Sequence, residues 1–588
     1  MNFLKRVLST VTGLFVFLGI CVVFLFIIGL IFSASADELI TVKSDSVLDL
    51  KLDFPIKDYA GKVEFKEYPF LNYEDKNGLF DIIHAIKYAE TDDNIKGISI
   101  DNNFIIAGIS QTKALRDALL DFKNSGKFIV AYADIYTQKD YYLSSVADTV
   151  FINPAGMLEF KGLHSEQLYF KDFQENTGLK MEVVRFGRYK SAVEPYLANE
   201  MSDENREQIS GLLNNIWTEI KSEISDSRNV SIKQLDSIAD NLLSRNATLA
   251  QSSKLIDKIA YYDEYISGLK AATGTAKDKV LETITIRDYA SHTANKFKAK
   301  STSQNEIAVI FAEGEIVYGD GDVNVIGQGT MRESFKKARE DDKIKAIVLR
   351  INSPGGSALA SELIWREIEL TKTLKPVIVS MGDLAASGGY YIACNADRII
   401  AEPTTITGSI GVFGMLPNAK GLADKWGINA EQVVTNKNAV TYSVFEPLNE
   451  SQHDFIKESI VDIYELFTNR VAVGRNMSQD DVKNIAEGRV WTGVDALENG
   501  LVDELGGLDL ALERAAEAAG INDYRTRNLP VFEKNLDKML ERFGLIKSKA
   551  SILKDELGEE NYKVLKELKT MSQRKGVQLL LPYSLEIK

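Results

Sequence analysis

Apolar and polar positions along this chain fall into two matching series. The run IKGISID (Ile95 to Asp101) has the pattern of a short buried strand, and it returns as IKAIVLR (Ile344 to Arg350). In the first series Ala114, Leu115, Ala118, Leu119 and Phe122 recur at helical spacing, and GKFIVAYAD (Gly126 to Asp134) predicts the next strand. The second series matches it with a strand from Ile344, a helix through Leu363 and Ile368, and the strand PVIVSMGD (Pro376 to Asp383). Strands alternating with helices require crossover connections and a largely parallel sheet, so the fold class is α/β in two tandem repeats. Each series then runs into a longer helix. In the first, Ile209, Leu212, Leu213, Ile216 and Ile220 trace one apolar face. Residues 37–75 have an extended, strand-like pattern, whereas 291–306 are polar and aperiodic, as in a linker. From about Asn528 the chain is charged, has a helical pattern and has no counterpart in the first series.

The N-terminus is different in kind. Lys5 and Arg6 precede an uncharged run from Val7 to Ala36, densest between Leu14 and Phe32. At about 1.5 Å per residue this predicts a helix able to cross a hydrocarbon core of roughly 30 Å. Ala34-Ser35-Ala36 also fits a signal-peptide cleavage site, but the apolar part exceeds the roughly 7–15 residues usual for such signals, which favours a retained transmembrane helix. With the basic residues inside, residues 37–588 are expected outside the cytoplasm. The expected division is therefore 1–36 anchor, 37–290 first repeat, 291–306 linker, 307–525 second repeat and 526–588 tail.

Composition removes several classes of function. A net charge of -15 argues against nucleic acid as a partner, because phosphate binding needs a basic surface. Two cysteines, Cys21 and Cys394, exclude a disulfide framework and a Cys-rich zinc site, and the four histidines show no metal-ligand spacing, so metal catalysis has little to work with. His164 and His453 sit in no triad signature. The loop YGDGDVN (Tyr318 to Asn324) has acidic spacing but lacks the glutamate that closes a calcium loop.

The candidate chemistry lies where the two copies differ. Ala147-Asp148 and Pro154 match Ala396-Asp397 and Pro403, yet between the strands the second copy has DLAASGGYY (Asp383 to Tyr391) where the first has DIYTQKDYY (Asp134 to Tyr142). Gln138 thus stands in the place of Ser387. Conversely, YKSAVEP (Tyr189 to Pro195) carries Lys190 where TYSVFEP (Thr441 to Pro447) carries Tyr442. A hydroxyl beside an amine able to deprotonate it is an activated nucleophile. Ser387 is expected at a strand-to-helix turn, where free N–H groups point outward. INSPGGS (Ile351 to Ser357) has no glycine pair in the first copy, DNNFIIAG (Asp101 to Gly108). Gly356 and Gly388 are therefore candidate oxyanion donors, each worth on the order of 3–4 kcal/mol. Lys190 can act as a base only if burial or a nearby cation, with Arg185 and Arg188 as candidates, lowers its pKa from about 10.4. Ser409 in TGSIG, matched by Phe160, is a candidate for orienting the lysine. Taken singly, each residue has a plainer reading: a tight turn, a surface lysine or an incidental serine.

Together, SPGGS, GDLAASGGYY, TGSIGVFG and YKSAVEP resemble the signal peptide peptidase A family of serine proteases in its long, duplicated, membrane-anchored form, over most of residues 50–520. The resemblance implies two crotonase/Clp-protease-like repeats, with Ser387 as nucleophile, Lys190 as general base, Ser409 orienting the lysine, and Gly356 and Gly388 as oxyanion donors. It implies no cofactor, a homotetramer, and hydrophobic signal peptides as substrates, at the exported (periplasmic) face of the inner membrane. Two other readings keep the fold: an acyl-CoA enzyme of the crotonase type, and a catalytically inactive membrane-anchored scaffold.

Overall fold

The computed structural model describes residues 40–533 apart from 65–72, 75–76 and 301–302, together with 578–580 and isolated positions between 13 and 20. Nearly all of the expected anchor lies outside these residues. Among the described residues no helix is long and apolar enough to cross a membrane.

Each repeat builds its own sheet. In the first, six parallel strands run in the order Lys258–Ile259, Thr149–Leu158, Phe128–Tyr136, Ile95–Asp101, Ser46–Leu50, Thr283–Thr285. The second repeats this plan with Ile406–Gly408, Val377–Ala386, Ile344–Ser353, Glu306–Glu313 and Arg525–Leu529 in parallel, and closes its edge with antiparallel Val490–Thr492. Arg398–Ala401 and Glu504–Leu505 branch from Val377–Ala386. The central strands are largely apolar because both faces are covered, as parallel sheets require. Ile347, Val348 and Leu349 are all fully buried.

The long helices also match. Asp203–Arg228 starts on a Ser202 side chain that accepts from the Asn205 N–H, and Glu450–Arg475 starts on Asn449 accepting from Gln452. Both end on an asparagine in the left-handed region, Asn229 at φ 50° and Asn476 at φ 53°, a stop that satisfies the last carbonyls.

A third sheet belongs to neither repeat alone. Its order is Val325–Gly327, Glu315–Val317, Gly355–Ser357, Gln578–Leu580, Val412–Asn418, Lys180–Phe186. Lys180–Phe186 leaves the first repeat and pairs antiparallel along the whole of Val412–Asn418, with Phe186 opposite Val412. Carried on, that register brings residues just past Phe186 toward residues 408–411.

The repeats are also joined by a buried polar seam. The Arg350 guanidinium donates to Asp58 at 2.6 Å, with both side chains only 3% exposed, and Gln111 Nε2 donates to the other Asp58 oxygen at 2.9 Å. Asp383, at the end of the strand leading to Ser387, accepts from the Ser110 and Gln111 N–H groups at the start of helix Ile109–Asn124. Ala386, Ile406 and Val490 of the second repeat lie in the apolar core of the first.

One sequence expectation needs correction. The stretch 291–306 is not an aperiodic linker. A helix runs from Ile286 to Lys300, with Tyr289, Ala290 and Thr293 buried, and Glu306 already begins the next strand. The few apolar residues on its inner face suffice, because packing rather than periodicity holds it. Most of the tail expected to be helical, residues 534–577, lies outside the described residues, and the described parts of the C-terminal region are strands: Arg525–Leu529 at the edge of the second sheet, Val531–Glu533 against Lys62–Glu64, and Gln578–Leu580 in the third sheet.

Candidate active site

Ser387 sits between strand Val377–Ala386 and helix Gly388–Ala393, with φ 56° and ψ −114°. A non-glycine residue held there carries strain of order 1–3 kcal/mol and persists only where its surroundings impose it. Here the Ser387 N–H donates to Gly408 O at 2.8 Å, and Ser387 O accepts from the Tyr391 N–H at 2.8 Å. The turn aims a hydroxyl at the end of the sheet while its peptide groups stay satisfied.

Glycine at 388 is a matter of space. A Cβ there would lie 2.8 Å from Ser361 Oγ and 3.1 Å from both Gly355 Cα and Gly356 N. The loop before helix Ala358–Lys372 therefore closes on the Ser387 turn, and the structure sets Gly356 and Gly388 side by side.

Lys190 arrives from the first repeat just past the strand Lys180–Phe186. Its Nζ lies 2.8 Å from Ser387 Oγ, 3.0 Å from Ser409 Oγ and 3.2 Å from Ser409 O. The side chain is fully buried, with its Nζ 6.0 Å from the Phe413 ring centroid. Burial holds its pKa well below the ordinary lysine value. The arginines expected to help do not act on the amine. Arg185 Nη1 donates to the Lys190 carbonyl at 3.4 Å, and Arg188 pairs with Glu487 at the surface. Desolvation does the work in their place.

Ser409 has φ 51°, and its N–H donates to Arg489 O at 2.7 Å. That bond belongs to a loop that reading the sequence missed, Glu487–Arg489. Glu487 O accepts from the Tyr189 N–H at 3.0 Å, and the Gly488 N–H donates to Ile410 O at 2.8 Å. A Cβ at Gly488, where φ is +84°, would stand 2.6–2.7 Å from the N, Cα and Cβ of Lys190. Gln208 completes the support: its Nε2 donates to Tyr189 O at 3.1 Å and Ser191 Oγ at 2.9 Å. The only hint in the sequence was two glycines in EGRVWTG, with nothing to connect them to Lys190. In the first copy Phe160 fills the place of Ser409 and packs on Tyr141 and Trp217. His164 and His453 are both exposed.

A buried serine on a strained turn, a buried amine beside it and a pair of close-set glycine loops define a hydrolase that works through a serine. The peptidase family S49 model matches residues 121–275 and 369–522, one stretch in each repeat. The chain is 36% identical to Protease 4 of Haemophilus influenzae over 85% of its own length and 83% of that protein. Identity to Protease 4 of Salmonella typhi is also 36%, over 79% of the chain and 76% of the relative. A chloroplastic serine protease SPPA of Arabidopsis thaliana is 36% identical over 74% of the chain and 64% of that protein. The chain belongs to peptidase family S49, and it is a serine protease.

Proposed function

We propose that this protein is a membrane-anchored endopeptidase with a Ser-Lys dyad that degrades cleaved signal peptides and similar hydrophobic peptides. The observation that carries the reading is the fully buried Lys190 Nζ, 2.8 Å from Ser387 Oγ. Burial lowers the Lys190 pKa and so favours the free-base form that a general base needs, and Ser409 fixes its direction with two contacts. Lys190 takes the Ser387 proton as Oγ attacks the peptide carbonyl. The carbonyl oxygen becomes an oxyanion facing the Gly356 and Gly388 N–H groups. The lysine then gives its proton to the leaving amine, and water, deprotonated by the same lysine, releases the acyl group.

The membrane setting rests on the apolar run Leu14 to Phe32 behind Lys5 and Arg6. An anchor would hold the site near bilayer-embedded peptides on the exported side of the inner membrane and raise their effective concentration. Assembly into a homotetramer fits the apolar side chains left open on the segment after Ala423: Trp426 is 77% exposed and Val433 wholly so. The test is hydrolysis of a synthetic signal peptide in detergent. Ser387→Ala is expected to lose at least a thousandfold in rate with an unchanged melting temperature, and wild-type turnover by that variant would overturn the reading.

A further inference from the structure

The seam between the repeats holds a cavity of about 130 Å³ that the peptidase chemistry does not use. The first repeat supplies Leu79, Ile83 and Ala118 to its wall and the second supplies Leu508, so part of the lining is apolar. A cavity of roughly 150 Å³ admits a molecule the size of benzene, so this one suits a ligand of about six heavy atoms.

Charge decides what kind of ligand. Asp58, Asp117, Asp121, Glu402 and Asp509 line the cavity, against Lys87 and Arg350. Three of the acids are paired: Asp58 with Arg350, Asp117 with Lys113 at 2.9 Å, and Asp509 with Lys87. Asp121 is exposed and has no ion-pair partner among the described residues. Glu402 is only 3% exposed, yet its carboxylate accepts no hydrogen bond from any described residue. A buried carboxylate in that condition is costly, and burial pushes its pKa up to about 7 despite the pull of Arg350 and Lys113. A Cβ at Gly507, which also lines the cavity, would stand 2.7 Å from Glu402 Oε1, so glycine there leaves room for that oxygen. The shared plan of the repeats does not require the acid. The first copy has Asn153 at the matching position, where its amide donates to Asp134 Oδ1 at 2.8 Å.

Among the described residues no three acidic, histidine or cysteine side chains gather to hold a metal ion. An aliphatic wall beside a lone buried carboxylate suits an organic cation instead. We propose that this cavity binds a short aliphatic diamine, with one ammonium on Glu402, the carbon chain along Leu79, Ile83, Ala118 and Leu508, and the other ammonium toward Asp121. An ammonium brings three N–H donors to a carboxylate that receives none from the protein. Both repeats form the walls, so the bound diamine favours the docked arrangement that brings Lys190 to Ser387.

The experiment is isothermal titration calorimetry of the full-length protein in detergent with 1,4-diaminobutane, at about pH 8, where Glu402 is ionised. The wild type is expected to show one saturable site per chain, and Glu402→Gln to weaken it at least tenfold, as loss of a hydrogen bond to a charged group implies. Asp121→Asn, on an exposed side chain, is expected to weaken it about threefold. 1,4-Butanediol has the same length without the charges and is expected not to bind. No saturable site in the wild type, wild-type affinity in either variant, or butanediol binding as tightly as the diamine would overturn the proposal. Thermal melting decides it separately. The diamine should raise the melting temperature of the wild type and leave that of Glu402→Gln unmoved; equal shifts in the two proteins would overturn the site in favour of general screening on an acidic chain.

Discussion

Lys190 and Ser387 illustrate how little of a site a motif contains. The sequence marked them through a complementary loss, a serine kept in one copy and a lysine in the other. What makes the amine usable is burial, and burial is a property of the docked repeats. The loop Glu487–Arg489 was invisible for the same reason: its contacts with Tyr189, Ser409 and Ile410 are backbone contacts that any side chain could make. Only Gly488 is chemically constrained, by its φ of +84° and its contact with the Lys190 backbone. Gly488→Ala must therefore push Lys190 away from Ser387. We expect it to lower kcat at least a hundredfold, since a misplacement of about 1 Å costs that much, with far less effect on KM for the peptide. Unchanged kcat in the alanine variant would show that this loop does not position the lysine.

At the scale of elements, the duplication is clearest where the copies disagree in charge but agree in geometry. Lys113 on helix Ile109–Asn124 meets Glu223 on helix Asp203–Arg228 at 2.7 Å. At the same positions of the second repeat, Glu362 on helix Ala358–Lys372 meets Arg470 on helix Glu450–Arg475, also at 2.7 Å. The two pairs carry opposite polarity, and the second is backed by Arg470 lying 3.6 Å over the Trp365 ring. Glu223 also faces Arg116, whose side chain is 1% exposed. Glu223→Ala leaves Arg116 without its carboxylate in a largely dry setting, while Lys113 keeps Asp117 at 2.9 Å, so it should destabilise the protein by about 3 kcal/mol in urea unfolding; a loss under about 1 kcal/mol would mean that water reaches Arg116. Strand–helix alternation, the long helices and the order of the repeats were all legible as periodicity. The third sheet was not, because strands as short as Gly355–Ser357 and Gln578–Leu580 carry no pattern and form only where distant partners meet. The helix Ile286–Lys300 escaped notice because it is polar over most of its length.

At the scale of the molecule, two sheets of one plan are locked by Arg350, Asp58 and Asp383 so that one copy's lysine enters the other copy's turn. Both residues belong to one chain, and the site exists only when the repeats are docked. The pH dependence follows from the buried amine. Its pKa in the folded state is lowered, so between that value and the ordinary lysine value the folded protein holds fewer protons than the unfolded chain. Falling pH therefore costs stability across that window, and activity is lost as pH drops through the lower value and the base becomes protonated. The most direct test is the rate at which a fluorophosphonate labels Ser387 across a pH series, followed by mass spectrometry in the wild type and in Lys190→Met. The account predicts labelling of Ser387 that rises with pH along one titration, with its midpoint well below the ordinary lysine range, and a rate lower by roughly a hundredfold or more in Lys190→Met. Labelling of Lys190→Met at the wild-type rate, or attachment at a residue other than Ser387, would contradict it.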